Sequence, residues 1–144
     1  MKKHLLIMAT LVATLIMTLT SCQTSPREML IGEYALTGST TDLKMSQDDM
    51  QMRQMAMEDL QKKYRLVLSG DGKFEETINV TKKGTWEIYG DDGEEGEGWR
   101  LKLIFEDKST VNMEIHDLSN SGFVNVIYDE ASKSTTTNTY SKIK

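Results

Sequence analysis

The chain has 144 residues, with 17 Lys and Arg against 22 Asp and Glu and a formal charge of −5 at pH 7. That balance argues against a grip on nucleic-acid phosphates and against an electrostatic hold on anionic lipid. With a single cysteine the chain can form neither an internal disulfide nor a Zn–thiolate site, so its fold must rest on an ordinary apolar core.

The N-terminal segment begins with Lys2 and Lys3, runs through an apolar stretch at 5–19, and ends on Leu19-Thr20-Ser21-Cys22. The stretch holds three threonines and falls short of the ~20 apolar residues a spanning helix needs. A basic start, a short apolar core and small residues before a break fit a cleaved signal. The segment resembles the signal peptide and lipobox of bacterial lipoproteins, in which a diacylglyceryl group is joined to the cysteine sulfur and cleavage makes that cysteine the first residue. The resemblance implies that residues 1–21 are removed, that Cys22 is the lipidation site, and that the membrane is a partner through the lipid anchor. Cleavage would take two lysines and no acid, moving the charge to −7, so the anchor has to be covalent. Each buried CH₂ contributes ~0.8 kcal/mol, and a diacylated cysteine carrying a further palmitate-like chain hardly dissociates. Gln23 differs from the aspartate that retains proteobacterial lipoproteins in the inner membrane, and residues 23–27 lack the acidic run of surface-exported Bacteroidetes lipoproteins. The expected address is the outer membrane, with the domain facing the periplasm.

Residues 22–29 hold the only proline, Pro26, among small polar residues and read as a tether, which leaves 30–144 as one domain. From there the signals are mostly those of strands. Residues 30–37 place Tyr34 and Leu36 on one face, and 64–68 alternate Tyr64, Leu66 and Leu68 with Arg65 and Val67. Ser69-Gly70-Asp71-Gly72 is a hairpin turn, and 73–80 carry Phe74, Ile78 and Val80 on one parity. Thr81-Lys82-Lys83-Gly84 reads as a further turn before Trp86 and Ile88. Trp99, Leu101, Leu103 and Phe105 make the cleanest half-buried strand, and Val111, Met113 and Ile115 repeat the pattern after the turn at Asp107-Lys108-Ser109. Residues 123–128 are apolar on both parities, which predicts burial on both faces, and the threonine-rich 134–143 ends the series. About eight short strands at this spacing predict a small antiparallel barrel or sandwich.

One segment departs from this pattern. Residues 47–63 lack Gly, Pro and β-branched side chains, and Ser46 with Asp49 forms a capping signal, so a helix is expected over 47–63. Met45, Met52, Met55, Ala56 and Leu60 share one side, and the helix is expected to lie over one end or side of the barrel.

Gly32-Glu33-Tyr34, Gly70-Asp71-Gly72-Lys73-Phe74 and Gly84-Thr85-Trp86 resemble the small lipocalin-like lipoproteins of Bacteroidetes. Tyr34 stands where classical lipocalins carry a tryptophan. The resemblance implies an all-β fold: an antiparallel, up-and-down, eight-stranded barrel that can hold one small apolar ligand.

Tyr34, Trp86, Trp99, Phe105, Met113 and Phe123 form the candidate pocket, since binding sites are mainly apolar and barrel mouths host them. An eight-stranded barrel is also just wide enough to be filled by its own side chains, so plain core packing is the bland reading of the same six. Met52, Met55, Ala56 and Leu60 form a candidate docking face for another envelope protein. Met50, Met52, Met55 and Met57 form a remote Cu(I) candidate through soft thioethers, although helical geometry allows only pairs such as Met52 and Met55 to share a face. The acidic loop from Asp91 to Glu97 lacks EF-hand spacing and reads as a solvated hairpin loop. His116, the sole histidine after the signal segment, falls on a polar parity, and Glu75, Glu76, Glu87 and Glu114 read as sheet-surface carboxylates. No nucleophile beside a base can be assembled, so the expectation is a non-enzymatic protein with no cofactor, no protein metal site and no nucleic-acid partner.

Overall fold

The computed structural model describes residues 24–90 and 98–144. Residues 1–23, with Cys22 and the cleavage site, and residues 91–97 of the acidic loop lie outside the described residues. The fold is a closed barrel of eight antiparallel strands: β1 (Gly32–Thr41), β2 (Arg65–Leu68), β3 (Lys73–Thr77), β4 (Thr81–Gly90), β5 (Trp99–Phe105), β6 (Thr110–Ser119), β7 (Gly122–Asp129) and β8 (Ser134–Lys142). Each strand pairs with its neighbours in sequence and β8 returns to β1, which closes the sheet and leaves no edge strand. The architecture is the eight-stranded, lipocalin-like barrel with one helix between the first two strands that the sequence pattern implies. A short helix α1 (Pro26–Leu30) precedes the barrel, and α2 (Gln47–Lys63) joins β1 to β2. No helix among the described residues is long and apolar enough to cross a membrane.

Local chemistry accounts for the elements. In α2 the Ser46 hydroxyl accepts from the Asp49 amide at 3.2 Å, acids occupy the first turn, and Lys62 and Lys63 occupy the last, as the helix dipole favours. Gly72 turns the β2–β3 hairpin at φ 83°, while the Asp71 side chain accepts from the Lys73 amide. Gly84 answers to space: a Cβ there would run into the Ile104 carbonyl and the Phe74 ring, so strand and ring can close up only on glycine.

Several boundaries differ from the sequence reading. β3 stops at Thr77, and Ile78 and Val80 lie exposed in the connection to β4. Residues 81–84, read as a turn, begin β4, because Lys82 and Lys83 pair with Glu76 and Glu75 across the ladder. Residues 123–128 are not buried on both faces: Phe123 is buried, whereas Ile127 and Tyr128 are exposed near the strand end. Residues 26–29, read as the last part of a tether, form with Leu30 a capped helix, Pro26–Leu30, in which Ser25 and Glu28 exchange side-chain-to-backbone hydrogen bonds.

That helix closes one end of the barrel. Leu30 is fully buried, and the Tyr34 hydroxyl donates to the carbonyls of Leu30 at 2.9 Å and Met29 at 3.2 Å. Lys142 Nζ donates to Met29 and Ile31, so the carbonyls left open at the helix end are capped. Arg27 lies 4.3 Å from the centre of the Trp86 ring, whose Nε1 donates to the Ser69 carbonyl. Above this plug runs one continuous core that includes Leu36, Leu66, Leu68, Phe74, Leu101, Leu103 and Ile115.

Candidate functional site

The six aromatic and apolar residues proposed as a pocket all reach this interior, where they pack on one another. Tyr34, Trp86, Met113 and Phe123 are buried, and Trp99 and Phe105 are half-buried against the same cluster. Tyr34 meets Phe123 edge-on at 5.1 Å, Phe123 stacks on Tyr140 at 4.8 Å, and Tyr140 meets Tyr64 edge-on at 5.6 Å. These rings occupy the space an enclosed ligand would need at the α1 end, as expected for so narrow a barrel.

The ladder of rings ends in polar chemistry. The Tyr64 hydroxyl donates to Glu76 Oε1 at 3.1 Å. Glu76 was expected on the sheet surface, but it pairs with the inward-facing Leu66 and is half-buried. Burial drives the Tyr64 hydroxyl pKa far above its ordinary value, and the neighbouring Tyr140 and Glu76 push it further. Burial raises Tyr140 in the same way, against smaller opposing effects of its hydrogen bonds to Tyr64 and Asn125. Asn125 is buried, and its Oδ1 has no hydrogen-bond partner. Left unpaired, a buried acceptor costs ~1–3 kcal/mol.

The register shows how Asn125 relates to the rest of this end. It pairs with Asn138 of β8, and Asn138 pairs with Ser39 of β1, so three polar residues follow one another across adjacent strands at inward positions. Ser39 faces inward because β1 slips register between Leu36 and Gly38. Before the slip the even-numbered Tyr34 and Leu36 point in; after it the odd-numbered Ser39 and Thr41 do, as a bulge requires. The bulge has no distinct signal in the Ser/Thr/Gly run at 37–41, and strict alternation would have turned Ser39 outward. Asn125 did carry a visible signal, as a lone amide interrupting the apolar run from Phe123 to Tyr128.

Over this end lies α2. Its inner face is made by Arg53, Met57, Leu60 and Gln61, all half-buried, with Met57 and Leu60 packed on the core. The expected inner face is only partly right: Met52, Met55 and Ala56 are exposed, and of the four docking candidates only Leu60 is turned to the barrel. Met50, Met52 and Met55 are more than half exposed while Met57 faces the core, so the four thioethers of the Cu(I) candidate do not share one side. Between α2 and the end of β1 is a cleft of about 460 Å³, within the ~300–1,000 Å³ usual for small-molecule sites. Leu43, Met45, Met50 and Met57 supply its apolar wall, and Ser39, Thr41 and Arg53 its polar one. Arg53 Nη2 donates to the Ser39 hydroxyl at 3.3 Å.

Elsewhere the titratable groups do structural work. His116 contacts Glu114 at 2.9 Å on the barrel surface. No group of three or more His, Cys, Asp or Glu is placed to hold a metal among the described residues. No family, curated protein or solved structure matches the chain.

Proposed function

We propose that this protein is a non-enzymatic lipoprotein of the outer membrane, anchored through Cys22, whose barrel binds a small, largely apolar molecule beneath α2. The observation that carries the binding reading is the cleft between α2 and β1, with methionine and leucine on one wall and hydroxyl and guanidinium groups on the other. The aromatic interior is the scaffold under this site, since its rings are packed together. The anchoring reading rests on the lipobox ending at Cys22 and on the short stretch from Cys22 to α1. A lipid at Cys22 would hold the α1 end toward the bilayer and leave the cleft at the far end, open to the periplasm.

Native mass spectrometry of residues 22–144, purified without lipid, tests the binding. A co-purifying molecule, lost when Met45 and Met57 become glutamine, supports it; a ligand-free protein whose melting temperature no added amphiphile raises would remove it. For the anchor, Cys22→Ala is expected to abolish incorporation of labelled palmitate and to release the protein from the membrane fraction. Retention of the variant in that fraction would argue against lipidation.

A second reading has its own support. Met52 and Met55 are 63% and 65% exposed on the outer side of α2, and flexible thioethers suit an adaptable docking surface. Under this reading α2 contacts another envelope protein. Replacing Met52 and Met55 by glutamate would abolish cross-linking to a single partner in intact cells and leave ligand retention unchanged.

A further inference from the structure

The polar group in the cleft wall identifies the ligand more closely. We propose that the cleft takes a single-chain amphiphile with an anionic head, the head on Arg53 and Ser39 and the chain along Leu43, Met45, Met50 and Met57; this rests on the binding site proposed above. The guanidinium of Arg53 is half-buried on the inner side of α2, and its hydrogen bond is to a neutral hydroxyl, Ser39. Among the described residues no carboxylate lies within 4.0 Å of it. A cation withdrawn from water against apolar side chains is normally matched by a counter-charge, and one held at a hydroxyl still has donors to give. Among the described residues the other charged one in the cleft wall is Glu58, an exposed carboxylate five residues along the helix that accepts from Gln54 at 3.3 Å. A planar carboxylate or a phosphate can engage two guanidinium N–H groups at once, with the Ser39 or Thr41 hydroxyl as a further donor. The chain then runs over the methionines, whose flexible thioethers adapt to an unbranched tail. The site lies at the rim, outside the packed rings of the interior, so it requires no opening of the core.

The test compares decanoate, decyl phosphate, decanol and decylamine, each well below its micellar concentration, on residues 22–144 and on Arg53→Gln and Arg53→Lys. Affinity is read by isothermal titration calorimetry and by NMR shifts of the methionine methyl groups. The expected result is that decanoate or decyl phosphate binds about tenfold more tightly than decanol, with decylamine weakest, and that Arg53→Gln removes this preference by weakening the two anions far more than decanol. Arg53→Lys should keep part of the preference, because the charge remains and the fork is lost. Which of the two anions binds better assigns the head as carboxylate or phosphate. Equal binding of decanol and both anions would overturn the anionic assignment and leave the cleft as an apolar site. Anion binding that survives Arg53→Gln would also overturn it, and absence of binding by all four probes would overturn both the assignment and the cleft. Unchanged far-UV circular dichroism and melting temperature in the two variants exclude misfolding as the cause of any loss.

Discussion

The two ends of this barrel solve the same problem in opposite ways. At the α1 end, Leu30 is fully buried, Tyr34 and Lys142 satisfy the helix carbonyls, and Trp86 is held both by Arg27 and by the Ser69 carbonyl. At the α2 end, Asn125 keeps an unpaired acceptor, Arg53 rests on a hydroxyl, and a cleft separates helix from strand. The first end is packed and satisfied, and the second carries one unpaired acceptor and open space. One end of this small domain is built for stability and the other holds the proposed binding cleft, and substitutions should sort accordingly.

The largest effect is expected at the closed end. Trp86→Ala removes a side chain only 2% exposed, its hydrogen bond and the ring under Arg27, and should cost about 3–5 kcal/mol in a urea titration. A cost below about 1 kcal/mol would mean that the plug contributes little and that the contrast between the ends is wrong.

Alkaline unfolding is next in size. Burial pushes the Tyr34 hydroxyl pKa from 10.0 to about 12. The unfolded chain therefore loses this proton first, and the stability it confers is complete below pH 10 and is lost as pH rises from 10 to 12. One pKa unit corresponds to about 1.4 kcal/mol, so Tyr34 alone accounts for roughly 3 kcal/mol over that window. Tyr64 and Tyr140, also raised by burial, act in the same direction. Tyr34→Phe should flatten the fall between pH 10 and 12; an unchanged slope would show that Tyr34 ionises as readily folded as unfolded.

Much of the barrel was legible because its inward positions are large and regular. Trp99, Leu101, Leu103 and Phe105 alternate without a break, and each of the four is buried or half-buried. Ser46 and the absence of β-branched residues over 47–63 predicted the helix to the residue. The site was much less legible, and the reasons are physical. The β1 bulge inverts parity at Ser39, whereas Glu76 shares the parity of Phe74 and lies inside opposite Leu66, a position that its charge and not the alternation disguised. Met57, read beside Met50, Met52 and Met55, is distinguished by its angle around α2 and by the barrel beneath it, not by residue type. Helix periodicity alone could not choose which methionines face inward, because Arg53, Asp59 and Lys63 blur the apolar arc.

Arg27→Ala tests a smaller term at the closed end. A cation over an aromatic face contributes ~0.5–1 kcal/mol at an exposed site and more when desolvated, so the loss should be about 1 kcal/mol. In the Trp86→Ala background the same change should cost almost nothing, since the ring it covers is gone. An undiminished effect in the double variant would assign Arg27's contribution to something other than the ring.

A pair of small effects discriminates between the two sides of α2. Met57 packs on the core, and Met57→Ala should cost about 1–2 kcal/mol, below the ~2–5 kcal/mol of a fully buried methionine because the site is half-buried. Met52 is 63% exposed, and Met52→Ala should stay within about 0.5 kcal/mol of wild type, with alanine's helix propensity offsetting what little contact is lost. The pair shares a helix and a residue type, so the difference between them reports only which way each side chain points. Equal costs would mean that α2 sits on the barrel in another rotation, and that rotation would turn Arg53 out of the cleft. A difference of about a kilocalorie between two methionines therefore bears directly on the seat proposed for an anionic head at Arg53.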